Sequence, residues 1–167
     1  LELSGWLAEL RAHGVAVEFL DAPHVVRPIP QLFGRLAVAG EYGHASYFGW
    51  GLATEDDTRH AVAASERDEP APDRVAEIEA KRADAACESV RHVERWIEQH
   101  SPISGICGIS AGGTIAAAVA ARSPSLQFFI NFCSMPWERL PTSMDLEVPQ
   151  VITVPSLHVL GRVDELL

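Results

Sequence analysis

The sequence predicts an α/β fold, a mostly parallel sheet flanked by helices, and two observations carry that prediction. Short β-branched or apolar runs at residues 15–20, 103–109, 126–133 and 155–161 alternate with stretches of helical periodicity. Glycine or proline punctuates the junctions between them. Strands joined by helical crossovers pair in parallel, and a parallel sheet is covered on both faces.

A chain of 167 residues is expected to form one domain, 1–167, with a core of its own. The formal net charge of −10 argues against nucleic acid or an anionic membrane as partner, because both select a basic face. Three cysteines, Cys87, Cys107 and Cys133, are an odd number without C-x-x-C spacing. Cys107 and Cys133 lie in apolar runs and are expected to be reduced core residues. No apolar stretch reaches membrane-spanning length, and the first residues lack a basic-then-apolar signal pattern. A soluble, cytoplasmic protein is the expectation.

Leu3, Trp6, Leu7 and Leu10 follow the i, i+3, i+4, i+7 spacing of an amphipathic helix, which His13-Gly14 closes. Residues 15–20 read as a strand, which Pro23 ends before His24. From 25 to 73 glycines and prolines break any period, and Phe33, Tyr42, Tyr47, Phe48 and Trp50 are scattered among them. Such a long irregular excursion is either a lid or pocket wall, or a surface segment whose aromatics plug its own small core. Its charged part, 54–73, is expected to be mobile. From Arg74 onward Val75, Ile78, Val90, Val93 and Ile97 mark a long helix, with Glu79, Lys81 and Arg82 on a solvated face. His100-Ser101-Pro102 ends that helix. Residues 126–133 and 155–161 are further strands, separated by a proline-containing loop region at 134–149.

The sharpest chemical signal is Gly108-Ile109-Ser110-Ala111-Gly112, placed between the apolar run 103–109 and an alanine-rich helical stretch. Strand, G-x-S-x-G and helix in that order make the setting of a nucleophile elbow, in which the chain reverses sharply and projects the central hydroxyl from the sheet. Glycines suit the flanking positions because a side chain there would collide with the neighbouring strand or helix. Ser110 is thus the candidate nucleophile, and the Ala111 N–H the candidate oxyanion donor. The bland alternative is a glycine-rich turn, or a phosphate loop. The latter is disfavoured because no Lys precedes the Ser/Thr position.

Together these segments resemble the α/β-hydrolase superfamily, and more narrowly the FSH-type serine hydrolases, which include thioesterases that release fungal polyketides. The likeness is carried by Phe19-Leu20-Asp21-Ala22-Pro23-His24, Phe48-Gly49-Trp50, the elbow with its preceding strand, residues 129–134, and residues 155–164. Ala111 departs from the glutamine usual in that family, but the oxyanion donor there is a backbone amide. The resemblance implies an α/β-hydrolase fold and a triad running Ser, acid, His along the chain. Ser110 matches the nucleophile and Asp164 the acid, which would hold the imidazole in the right tautomer. Asp164 is otherwise a turn residue after Gly161, and Glu138 is a weaker candidate for the acid.

No histidine matches the family's triad position, which is expected after Leu167. His158 reads as a core strand residue, and His13, His60, His92 and His100 as solvated. His24 and His44 are remote candidates, and the family uses the position of His24 structurally. The family's strand ending in His-Gly, with the second oxyanion donor, is expected before Leu1. It would lie between the strand at 15–20 and that at 103–109, and its absence would leave a gap of roughly 9–10 Å between them. The chain is therefore read as the middle of a longer protein, a fold incomplete at both ends. The activity implied is cleavage of an ester or thioester, free or carrier-bound, through an acyl-enzyme on Ser110, with no metal or organic cofactor required. The segment 33–50 is a candidate acyl pocket or lid. The alternative is a catalytically dead hydrolase-like chain that serves as a binding module. The sequence does not determine the oligomeric state.

Overall fold

In the computed structural model, the structure describes residues 4–26, 47–51, 72–134, 140, 145–149 and 151–161. The elements are α1 (Ser4–Ala12), β1 (His24–Val26), β2 (Tyr47–Gly49), α2 (Pro72–His100), β3 (Gly105–Ile109), α3 (Ala111–Arg122), β4 (Phe128–Phe132) and β5 (Ser156–Val159). β3, β4 and β5 form a parallel sheet in that order, as the alternation of strands and helices predicts.

α3 is buried from Gly113 to Ala120, so it needs no polar face. Ala116, Ala117 and Ala120 turn to the sheet and pack with Leu126, Phe129 and Val154. Ile115, Ala118 and Val119 turn to α2, where Ala86, Val90 and Val93 meet them. The alanines let the helix lie close to both partners. On the other face of the sheet Trp6 of α1 meets Phe132 edge-on, ring centroids 6.0 Å apart. The order of layers is thus α2 and α3, sheet, then α1.

α2 shows the long-helix spacing on the buried side, with Ala83, Ala86, Val90 and Val93 all covered. Its other face carries the ion pairs Lys81–Glu77 at 2.8 Å and Arg82–Glu79 at 2.9 Å. At its end the Ser101 hydroxyl donates to the Ile97 carbonyl at 2.8 Å, and proline follows. Glu94 on α2 pairs with Arg122 on α3 at 2.7 Å, tying the two helices together. Phe129, fully buried in the middle strand, fills the space beneath α3. Phe129→Ala is expected to cost about 3–5 kcal/mol, measurable by urea or thermal unfolding.

Several expectations are corrected. Residues 15–20 form no strand, although their composition is β-like. A strand exists only with a ladder partner, and among the described residues none runs alongside them. Val15 and Phe19 are accordingly exposed. Pro23 does not end a strand but precedes one, since β1 begins at His24 and pairs antiparallel with β2. The irregular segment therefore contains a two-stranded ribbon, while most of 25–73 lies outside the described residues. Its charged part ends sooner than expected, because α2 already begins at Pro72, a residue suited to a first helical turn.

Cys107 and Cys133 are exposed, and the buried cysteine is Cys87 on α2. Cys107 lies on the sheet face away from α3, and Cys133 lies just past the end of β4. Burial pushes the Cys87 thiol above its ordinary pKa. His158 is exposed rather than a core residue, with its ring edge-on to Phe129 at 5.7 Å. It extends from β5, the strand whose described residues are all open to solvent. His92 is not merely solvated, since its Nε2 lies 3.1 Å from the Asp21 carbonyl oxygen.

Candidate active site

The turn between β3 and α3 is built by close backbone packing. A Cβ on Gly108 would lie 2.5 Å from both the carbonyl oxygen of Gly112 and the Cα of Gly113. Both are main-chain atoms of the turn itself, so neither can move aside without opening it. Gly108→Ala is therefore expected to destabilise the fold by about 1–3 kcal/mol and to misplace Ser110. Unfolding and serine-probe labelling measured on the same variant check both effects.

Ser110 occupies this turn with φ 52° and ψ −128°, a left-handed conformation that costs a non-glycine residue of order 1–3 kcal/mol. Three backbone bonds hold it there. Its N–H donates to the Phe132 carbonyl at 3.0 Å, and its carbonyl accepts from Gly113 N–H at 2.9 Å and Thr114 N–H at 3.3 Å. Its hydroxyl does not cap α3, and the residue is exposed. Ala111 and Gly112 open the helix, and among the described residues no backbone carbonyl accepts from their N–H groups. An exposed serine thus stands beside two amides without a backbone acceptor among the described residues, at the positive end of a 12-residue helix. That arrangement suits attack on a carbonyl whose oxygen gathers charge.

The three strands end in register, Ile109 opposite Phe132 and Phe132 opposite Val159. The chain therefore leaves β5 at the same end of the sheet as the Ser110 turn. Asp164, the candidate acid a few residues further on, lies outside the described residues, as do Glu138, His44 and His60.

No histidine among the described residues hydrogen-bonds Ser110. His24 is engaged elsewhere, its Nε2 lying 2.9 Å from the Ala85 carbonyl and 3.2 Å from Ser89 Oγ. A carbonyl only accepts, so Nε2 carries the hydrogen and has no lone pair to offer as a base. Its Nδ1 is 3.7 Å from a Glu88 carboxylate oxygen. The fully buried Ser89 hydroxyl donates in turn to the Trp50 carbonyl at 2.9 Å. His24 and Ser89 thus fasten the β1–β2 ribbon to the middle of α2, a structural task.

Two contacts at the site went unread in the sequence, although Trp50 belongs to the segment 33–50 expected to form an acyl pocket or lid. Trp50 packs against Gly112 on the first turn of α3. Asn131 and Ser134 are buried at the end of β4 against Gly113, and neither Asn131 Oδ1 nor Ser134 Oγ has a hydrogen-bond partner among the described residues. A lone asparagine in the apolar run Phe128-Phe129-Ile130-Asn131-Phe132 was the signal for the second. Nothing in the sequence around Trp50 tells which helix it would reach. Among the described residues there is no cluster of three His, Cys, Asp or Glu side chains suited to a metal, and no helix long and apolar enough to cross a membrane.

A parallel sheet with a strained serine between strand and helix is the setting of a nucleophile elbow on an α/β scaffold. Comparison with known families agrees, as the profile described as "Serine hydrolase (FSH1)" matches residues 2–167. The chain belongs to that family, which lies within the α/β-hydrolase superfamily. It is also similar to "Family of serine hydrolases 3" of Saccharomyces cerevisiae (strain ATCC 204508 / S288c), 28% identical over 87 residues. That match covers 46% of this chain and 32% of the yeast protein, so it spans about a third of the relative's length. No solved structure shows a significant match.

Proposed function

We propose that the full-length protein is a serine esterase or thioesterase working through an acyl-enzyme on Ser110. The observation that carries this reading is the backbone of Ser110, strained at φ 52° with its hydroxyl exposed and uncapped at the head of α3. Ser110 Oγ attacks the carbonyl carbon while its proton passes to a histidine outside the described residues. The Ala111 N–H receives the oxyanion, and Asp164 orients the imidazole. Collapse of the tetrahedral intermediate expels the alcohol or thiol, which takes the proton from the imidazolium. Water then attacks the acyl-serine, releasing the carboxylic acid and restoring the hydroxyl.

Family membership supports hydrolysis, and the thioester branch, with a free or carrier-bound acyl chain, rests on the same chemistry at the carbonyl. The full-length protein is expected to hydrolyse p-nitrophenyl esters or acyl thioesters and to take up a fluorophosphonate probe. Failure in all three assays overturns the reading.

A further inference from the structure

Besides β4, which bonds Ser110 through the Phe132 carbonyl, the elbow is met from outside β3 and α3 by Trp50. A Cβ on Gly112 would lie 2.9 Å from the indole Nε1, so the nitrogen edge of the ring rests on the residue two beyond Ser110. The rest of the ring packs against the cluster that contains Ala86, Val90 and Ile115, in the seam between α2 and α3. Trp50 remains only half-buried. Its main chain is fixed from below, because the buried Ser89 hydroxyl holds its carbonyl at 2.9 Å and His24 backs Ser89 at 3.2 Å. A large flat apolar ring, tied to α2 through its main chain, thus lies against the first turn of α3, two residues beyond Ser110. Among the described residues no acceptor takes the indole N–H.

We infer that Trp50 determines acyl specificity: its indole is the wall on which the hydrocarbon part of the acyl group lies while the carbonyl sits over Ser110. The inference rests on the esterase reading and adds a substrate class to it, acyl groups with an extended apolar chain rather than acetyl-sized ones. Binding sites for such groups pair an apolar wall with a few convergent polar groups, and rigid aromatic rings supply that wall at little entropic cost. Gly112 has its own part here, since any side chain at that position would push the ring off the turn.

The test is the ratio of kcat/KM for p-nitrophenyl octanoate to that for p-nitrophenyl acetate in the full-length protein, compared among wild type, Trp50→Phe and Trp50→Leu. A ratio taken on one sample is independent of the fraction of folded enzyme, so it separates specificity from stability. The ratio is expected to fall roughly tenfold in Trp50→Leu and a few-fold in Trp50→Phe, carried mainly by a higher KM for octanoate. A ratio unchanged or raised in both variants overturns the inference and leaves Trp50 a packing residue while the esterase reading stands. A wild-type protein that hydrolyses neither ester and takes up no fluorophosphonate overturns the esterase reading, and this inference with it.

Discussion

Ser110→Ala in the full-length protein is expected to lower kcat on any accepted ester by a factor on the order of 10⁴ or more, and to abolish fluorophosphonate uptake. The size follows from the chemistry. Without the hydroxyl no acyl-enzyme forms, and only the oxyanion site and substrate binding remain to accelerate direct attack by water. Stability should move the other way, if at all. Alanine has no hydroxyl to keep uncapped at the head of α3, while the three backbone bonds that hold the turn do not depend on the side chain. A variant that is folded, slightly more stable and inactive is the signature of a nucleophile placed at a strained position. Steady-state kinetics and a thermal melt on the same preparation check both halves.

Asp164→Asn is expected to cost roughly 10³–10⁴ in kcat with KM little changed. An asparagine keeps the shape of the carboxylate but can offer its N–H₂ group to the imidazole, which stabilises the wrong tautomer and withdraws the negative charge that supports the imidazolium. The placement argument comes from the sheet. Ile109, Phe132 and Val159 stand in register, and the Cys133 N–H donates to the Val159 carbonyl at 2.9 Å, so the chain leaves β5 at the same end of the sheet as the Ser110 turn, with β4 between them. Glu138 is the rival acid. Glu138→Gln should leave kcat within a few-fold of wild type, and an exchange of the two effects would assign the role to Glu138 instead. Because Ser110 is intact in both variants, slow stoichiometric labelling by fluorophosphonate should persist in each.

The parts of this architecture that are encoded locally could be read from the chain. The apolar stripe of α2, the alanine content of α3 and the G-x-S-x-G junction each fix a local conformation, and each appears at its expected place. What depends on distant partners could not be read in the same way. Residues 15–20 have the composition of a strand, but pairing is a property of two segments, and no described neighbour runs alongside them. The exposure of Cys107 depends on which face of β3 α3 covers, and that of Cys133 on where β4 ends. His158 shares a sheet face with the buried Asn131 and Phe129, and is open because β5 is the outer strand of the described sheet, exposed at every position.

At the site itself, Ser110 and the glycines were legible because steric demands of a tight turn leave a sequence signature. Trp50 was legible only as one aromatic of a candidate acyl pocket or lid; its contact with Gly112 was not, because it arises from a long-range fastening, Ser89 to its carbonyl and His24 to Ser89, across residues far apart in the chain. The buried Asn131 and Ser134 illustrate the same limit. Their types were visible in the sequence, but their packing against Gly113 depends on how β4 meets the first turn of α3.

The central claim is that the hydroxyl held out by the strained turn is the one that becomes acylated. The most direct measurement is to react the full-length protein with a fluorophosphonate, digest it, and locate the adduct by tandem mass spectrometry. One equivalent of label on Ser110, lost when hydrolysis of the preferred ester is blocked beforehand by a slowly deacylating substrate, is the predicted result. An adduct on a different residue, or full ester hydrolysis by protein in which Ser110 remains unlabelled, would contradict the account.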